Sequence, residues 1–433
     1  MDMEYLDFDL ELSMVGETIC RVRATSPHWG NTSAKVDFDP SDPELARVQY
    51  RLAAGRIDRR SLQDFGATLF ETLFPRDVAI AFGASIGDAR AHGKGLRIRL
   101  ALEAGPLRTI PWEYAYFPLR HQFLGVDVAT PITRHLDTFG ETMTPPVETS
   151  LRVLIVAPTV AGLDIETEIG HIRDAFEPID AFVEHDLLER DRPVTWDRLC
   201  ERLTLRPPHI LHFIGHGSFS DGRGLLYFND ERGGLRPEPG ERLAAELRNT
   251  SPIRLVVLNS CVGAAACPET DDLSGVAQQL VGAGVPAVLA HRYPIKDDHA
   301  IELTKTFYSS LVSSAEAGLV EAAVTRARSR LNAAEPGDPI IGTSVLYVRL
   351  TGPVFRLVAP DDDTLTLLEA ELSSVQQALR YRREECASGT PTQTRRDRLA
   401  EAERAVELAK AALDRARRQR VAARDAVQRG ARW

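Results

Sequence analysis

From residue 151 onward the chain alternates between runs too apolar to face water and runs with a single apolar stripe, and this limits its fold more than any other feature. LRVLIVAP (151–158), HILHFIGHG, IRLVVLNSC and VPAVLAHRY are near-continuous apolar stretches, the pattern of strands buried on both faces. DAFVEHDLL reads as a further strand. Between them, IETEIGHIRDAFEPI, TWDRLCERLTLR, ERLAAELRN and DDLSGVAQQLVGAG carry the pattern of amphipathic helices. Such alternation requires right-handed crossovers, so the sequence predicts an α/β core with a mostly parallel sheet flanked by helices. Ligands of such sheets bind outside the carboxyl ends of the strands, so the residues just past each strand are the ones to inspect.

The flanking regions read differently. Strand-like segments fall around Ile19–Ala24 and Ala34–Phe38, with a helix over Glu44–Ala54. Leu62, Phe65, Leu69, Leu73 and Phe74 predict a helical stretch over 61–92, and Leu96, Ile98, Leu100 and Leu102 alternate with Arg97 and Arg99 as in a half-buried strand. IPWEYAY and FLGVDVATPITRHL read as short extended pieces, and the proline pair of TMTPPVE marks a joint near residue 145. At the other end, Leu365, Leu368, Leu372, Val375 and Leu379 keep a helical step, SGTPTQT breaks it, and Leu399, Ala402, Val406, Ala409, Leu413 and Ala416 resume it. That pattern predicts an antiparallel helical hairpin. The expected organisation is an N-terminal α+β segment (1–60), a front α+β part (61–147), the α/β core (148–358) and the C-terminal hairpin or coiled-coil arm (361–433).

At 433 residues, 43% hydrophobic and 26% charged, the chain has the composition of a globular protein of about two or three domains. No run approaches the roughly 18 apolar residues a membrane span needs. The acidic start MDMEYLDFDLELSM is unlike a secretory signal, and five cysteines without framework spacing fit a reducing, cytoplasmic setting. The net charge of −10 is unevenly spread: residues 395–433 hold 12 Lys/Arg against 6 Asp/Glu, a net of +6, which leaves −16 on residues 1–394. An Arg-rich helix face is most often simply solvated. As an interaction surface it points to a regulatory or activating protein partner, with anionic lipid or nucleic acid the lesser options, nucleic acid disfavoured by the overall acidity.

Two strand ends carry chemistry. HILHFIGHGSF puts His216 between two glycines, and IRLVVLNSCVGAA puts Cys261 after Asn259 and Ser260. A thiol near its ordinary pKa is only a few per cent thiolate at neutral pH and needs a base; an imidazole can take that proton and return it to a leaving amine. The Gly217 and Cys261 amides are candidates for an oxyanion hole. Against this, a cysteine is more often a small buried hydrophobe than a nucleophile.

These motifs resemble those of the CHAT peptidases, a caspase- and separase-related group of clan CD. HFIGHGSF is followed 45 residues after His216 by VVLNSC. LVGAGVPAVLAHRYPIKDDHAIELTKTFYSSLV is similar to the family's segment after the cysteine, GLVEAAVTRARSRL to its closing helix, and GLRIRLALEAGPLRTIPWEYAYFPLRHQFLG to its front section. The resemblance covers roughly residues 61–352. It implies a caspase-like fold, His216 as general base and acid, Cys261 as nucleophile, Gly217 and the Cys261 amide as the oxyanion hole, and hydrolysis of a protein substrate without a cofactor. Members are commonly latent until switched on by a partner or a cleavage, in bacterial-type signalling or defence. Two features depart from the pattern: Tyr293 stands where a tryptophan is common, and Val-Gly-Ala follows Cys261 where many members have an acidic residue and Thr-Gly. The alternative reading is a catalytically silent caspase-like scaffold or adaptor acting through protein–protein contacts.

Other residues are set aside. His212, inside its strand, is expected to make a structural hydrogen bond. Cys261, Cys267, His291 and His299 match no familiar zinc spacing, so no metal is expected. GASIGDARAHGKG lacks the Ser or Thr and the preceding strand of a phosphate loop. Asp297 and Asp298 are expected to cap a helix, and Cys20, Cys200 and Cys386 to be incidental. Asp164 in the loop after the first core strand and Asp221 after the histidine are candidate substrate-pocket acids, although a solvated loop carboxylate is the commoner role for either.

Overall fold

The structure, a computed structural model, describes residues 3–103, 105–136, 144–147, 150–160, 162–188, 192–220, 223–250, 252–260, 274–313, 316–387 and 393–428. It contains β1 (Tyr5–Met14), β2 (Ile19–Ser26), β3 (Gly30–Asp37), α1 (Pro43–Ala53), α2 (Arg59–Leu73), α3 (Arg76–Ala91), β4 (Gly95–Leu102), β5 (Tyr116–Phe117), β6 (Gln122–Phe123) and β7 (Ile132–His135). There follow β8 (Leu151–Val156), α4 (Ile165–Phe176), β9 (Val183–Leu188), α5 (Trp196–Leu205), β10 (Ile210–Gly215), β11 (Gly217–Ser220), β12 (Arg223–Asn229), β13 (Leu235–Pro239) and α6 (Gly240–Arg248). The chain continues through β14 (Leu255–Ser260), α7 (Ser274–Gly282), β15 (Ala287–His291), α8 (Asp297–Leu311), α9 (Val320–Ala334), β16 (Ser344–Val348), α10 (Asp362–Ala387) and α11 (Gln393–Gln428).

Among the described residues, eleven strands form one α/β sheet in the order β3-β2-β1-β4-β7-β16-β15-β14-β10-β8-β9. The front strands therefore join the same sheet as the core strands. β1, β4, β7 and β16 run parallel to one another, as do β15, β14, β10 and β8, and the two sets meet antiparallel where β15 pairs with β16. The sheet's two halves therefore point their carboxyl ends in opposite directions.

Local chemistry explains where the elements fall. The expected helical stretch over 61–92 is two helices, because Pro75 has no N–H to continue α2 and instead precedes α3. IPWEYAY is largely 3-10 turn at Trp112–Tyr114 rather than extended. β1 was not foreseen, although Phe8, Leu10 and Leu12 alternate into the core. Its acidic residues face β4: Asp7 lies opposite Arg97 and Asp9 opposite Arg99, with Nε-to-carboxylate distances of 2.7 and 2.5 Å. On β10, Leu211 and Phe213 enter the apolar cluster that holds Trp196, Leu243 and Val276, while His212 faces the α4–α8 side.

Contacts divide the chain into two units, Met1–Thr144 with Arg152–Pro178 and His185–Phe355, and Pro145–Leu151 with Ile179–Glu184 and Arg356–Trp433. In the second unit α10 and α11 form the antiparallel hairpin expected from the sequence. Arg383 pairs with Glu403 at 3.2 Å near the turn and Arg417 with Glu369 at 2.8 Å further along. Val406, Ala409, Leu413 and Ala416 are buried in its seam with Leu379. Small alanines there allow close helix approach.

Candidate active site

β10 and β14 are adjacent and parallel, and their register sets Gly215 opposite Ser260. His216 follows Gly215 in the chain and Cys261 follows Ser260. His216 is half-buried, whereas Cys261 and Asp221 lie outside the described residues. The His216 carbonyl accepts a hydrogen bond from Tyr227 N–H at 3.0 Å, which ties it to β12. Gly217 stands opposite Leu226. Bonded and non-bonded pairs alternate along an antiparallel ladder, so Gly217 falls at a non-bonded position with its amide turned away from β12.

Beneath these strand ends lies a buried polar network. Glu168 of α4 is 2% exposed, and its Oε1 accepts from His212 Nε2 at 2.9 Å, from Thr304 Oγ1 at 2.9 Å and from Asn259 Nδ2. His212 Nδ1 meets the Tyr308 hydroxyl at 2.9 Å. Asn259 Oδ1 needs a donor, so His291 Nε2, at 2.8 Å, carries the proton. His291 Nδ1 is then the acceptor for the Ser344 hydroxyl at 3.2 Å. Accepting at Nδ1 while donating at Nε2 requires a neutral imidazole, and burial, aided by His212 and Arg328, pushes the His291 pKa down to about 4. The network ties β10, β14, β15 and β16 to α4 and α8, and its Asn259 lies two residues before Cys261.

His212 thus makes the structural hydrogen bonds expected of it. Glu168 was not singled out from the sequence, although a signal existed. It falls three residues after Ile165 and four before Ile172, on the apolar stripe of α4, where a carboxylate needs buried partners.

The loop after β8 is held at both ends. Asn229 Oδ1 accepts from Thr159 N–H at 3.0 Å, and its amide donates to the Thr159 carbonyl at 3.2 Å. At the other end Asp164, exposed, caps α4 by accepting from Thr167 N–H at 3.2 Å and Thr167 Oγ1 at 2.6 Å; these bonds hold its carboxyl below the ordinary aspartate range. Its own N–H donates to Asp297 Oδ2 at 3.0 Å, so Asp297 reaches across to this loop while Asp298 accepts from His299 N–H.

Among the described residues, no group of three or more His, Cys, Asp or Glu side chains is placed to hold a metal ion. Nor is any described helix long and apolar enough to cross a membrane.

The family profile described as CHAT domain matches residues 63–341, well over half of the chain. The chain belongs to the CHAT domain family. The matched stretch of this CHAT protein runs from within α2 into the 3-10 turn Pro339–Gly342 before β16 and includes both strand ends. No curated protein matches the sequence. Two crystal structures of the Saccharomyces cerevisiae separase–securin complex, at 2.6 and 3.0 Å resolution, are similar to it, with TM-scores of 0.44 and 0.45 and 12% identity. Each match covers 79% of this chain and 30% of the separase chain, so this protein spans less than a third of that chain's length.

Proposed function

We propose that this CHAT protein is a cysteine endopeptidase working through His216 and Cys261. The observation that carries the reading is the in-register pairing of Gly215 with Ser260, which starts the residues after them from neighbouring carboxyl strand ends. His216 takes the Cys261 Sγ proton as sulfur attacks the scissile carbonyl carbon. The resulting oxyanion is met by the Gly217 and Cys261 amides. The C–N bond then breaks, with His216 returning the proton to the leaving amine. Water, deprotonated by His216, cleaves the thioester to release the acid and restore the thiol.

The substrate is a protein, and Asp164 and Asp221 are the candidate acids for a basic side chain on it. Asp164 already serves Thr167, so its share would be long-range charge rather than a direct bond. The enzyme is latent in the cytoplasm until a protein partner engages the helical arm, in a signalling or defence role. Wild-type protein, with its partner where one is needed, is expected to form a covalent adduct at Cys261 with a thiol-directed peptidyl electrophile, read by intact mass and peptide mapping. Loss of the adduct in His216→Ala supports the dyad. Proteolysis of a cognate target that survives Cys261→Ala excludes the mechanism in favour of another nucleophile, and a native protein that never labels or cleaves favours the scaffold reading.

A further inference from the structure

The opposed directions of the two half-sheets create a second set of carboxyl strand ends. β1, β4 and β7 are parallel, and their ends lie at the far side of the sheet from those of β10 and β14. A cavity of about 510 Å³ opens there, lined by Glu11 and Ser13 of β1, Glu103 just past β4, and His135 at the end of β7. Its size lies in the range of small-ligand sites, roughly 300–1,000 Å³, and its position is the one where open α/β sheets bind ligands.

The charge around it is unusual for an acidic protein. Three arginines line it, and Arg23 is neutralised by Glu11 at 3.0 Å. Arg108 is half-buried, and among the described residues its guanidinium meets only neutral acceptors, the Leu102 carbonyl at 3.3 Å and Gln278 Oε1 at 3.5 Å. Arg21 makes no ion pair with any described residue. His135 Nδ1 lies 3.1 Å from the Val348 carbonyl, so that nitrogen is the donor. Against these, Glu103 is the remaining carboxylate, and the lining is net positive within a body of −16. A guanidinium held in place without a carboxylate, as Arg108 is, is a standard means of recognising phosphate and carboxylate groups, and the exposed Arg21 adds a second positive charge.

The same cavity touches α7 through Gln278, whose amide also donates to Tyr347 at 3.0 Å. α7 begins 13 residues after Cys261. On its other side Val276 packs against Gly224 and Gly240 so closely that neither position has room for a Cβ, which couples α7 to the hairpin extending from His216. We propose that this cavity binds a small polyanion through Arg108 and Arg21, and that its occupancy steadies α7. Neither the binding nor the effect on α7 requires Cys261 to be catalytic.

The test is calorimetric titration of the full chain at low salt with pyrophosphate and, separately, citrate. One or both should bind, with pyrophosphate alone marking a phosphate site and citrate alone a carboxylate site. Arg108→Gln should weaken binding at least tenfold and Arg21→Gln several-fold, whereas Arg90→Gln on α3 should leave it unchanged. Arg21 is exposed, so its variant keeps the test valid if Arg108→Gln fails to fold. Hydrogen exchange of the 274–282 amides should slow on ligand addition in both wild type and Cys261→Ala. No heat from either probe, or equal affinity in wild type and Arg21→Gln, overturns the site. Binding without any change in 274–282 exchange overturns the coupling.

Discussion

The two halves of the sheet bury charge in different ways. In the front half, arginines close on carboxylates. Arg134 and Glu113, each 2% exposed, form a two-pronged pair at 2.8 and 2.9 Å, and the remaining guanidinium donors reach the Arg108 and Ile110 carbonyls. Arg97 likewise bridges Asp7 and Glu321. In the rear half, Glu168 meets no guanidinium among the described residues and is held by an imidazole, an amide and a hydroxyl beneath the candidate strand ends. The front arrangement is a clamp of opposite charges that gains from being locked. The rear one is a chain of directional hydrogen bonds, which fixes where strand ends sit more than how tightly the sheet holds.

Four perturbations probe these arrangements. Glu113→Ala should cost the most, about 3–5 kcal/mol, because it strands Arg134 in the interior without a counter-charge. Chemical denaturation would read this as a lower midpoint with an unchanged slope. Glu168→Gln keeps size and some bonding and should cost less, about 1–3 kcal/mol. If it is as damaging as Glu113→Ala, the rear network is a clamp after all and the contrast fails.

Next comes pH. The native fold keeps His291 neutral down to about pH 4, whereas in the unfolded chain the ring titrates at its ordinary pKa of 6.5. Between those values the unfolded chain binds the extra proton, so stability falls as pH drops from 6.5 to 4 and is flat, for this group, below that window. The group's contribution is about 3 kcal/mol. His209, pushed down to about 3 by burial and by Arg152 and Arg254, acts in the same direction. His291→Gln should flatten part of the acid limb in a stability-versus-pH series; an unchanged limb would mean His291 does not carry it.

The smallest effect belongs to Asp164→Ala. It removes an exposed helix cap and should lower Tm by a few degrees at most. A larger change in substrate turnover than in Tm would assign this residue to the substrate pocket rather than to the cap alone.

Most of the core was legible because its signals are local. Near-continuous apolar strands and striped helices place β8, β10, β14 and β15 and their crossovers, and the break at SGTPTQT places the turn of the hairpin. What was not legible depends on partners distant in sequence. β1 reads as an acidic terminus until Asp7 and Asp9 meet Arg97 and Arg99, about ninety residues later. The direction of the front strands, and hence the second set of carboxyl ends, follows from the antiparallel pairing of β16 with β15 and the parallel pairing of β16 with β7, and not from any motif. At the candidate site, His216 and Cys261 were chosen by their strand ends. Glu168 and His291 were not, because only tertiary packing joins them to Asn259.

The central claim is that Cys261 is a peptidase nucleophile served by His216. Its most direct test is a proteomic survey of new protein termini in cells expressing the wild-type protein or Cys261→Ala, with an activating partner where one is needed. A set of termini found only with wild type, sharing a side-chain preference at the cleaved bond and absent in His216→Ala, is the expected result. Indistinguishable sets in wild type and Cys261→Ala would contradict it.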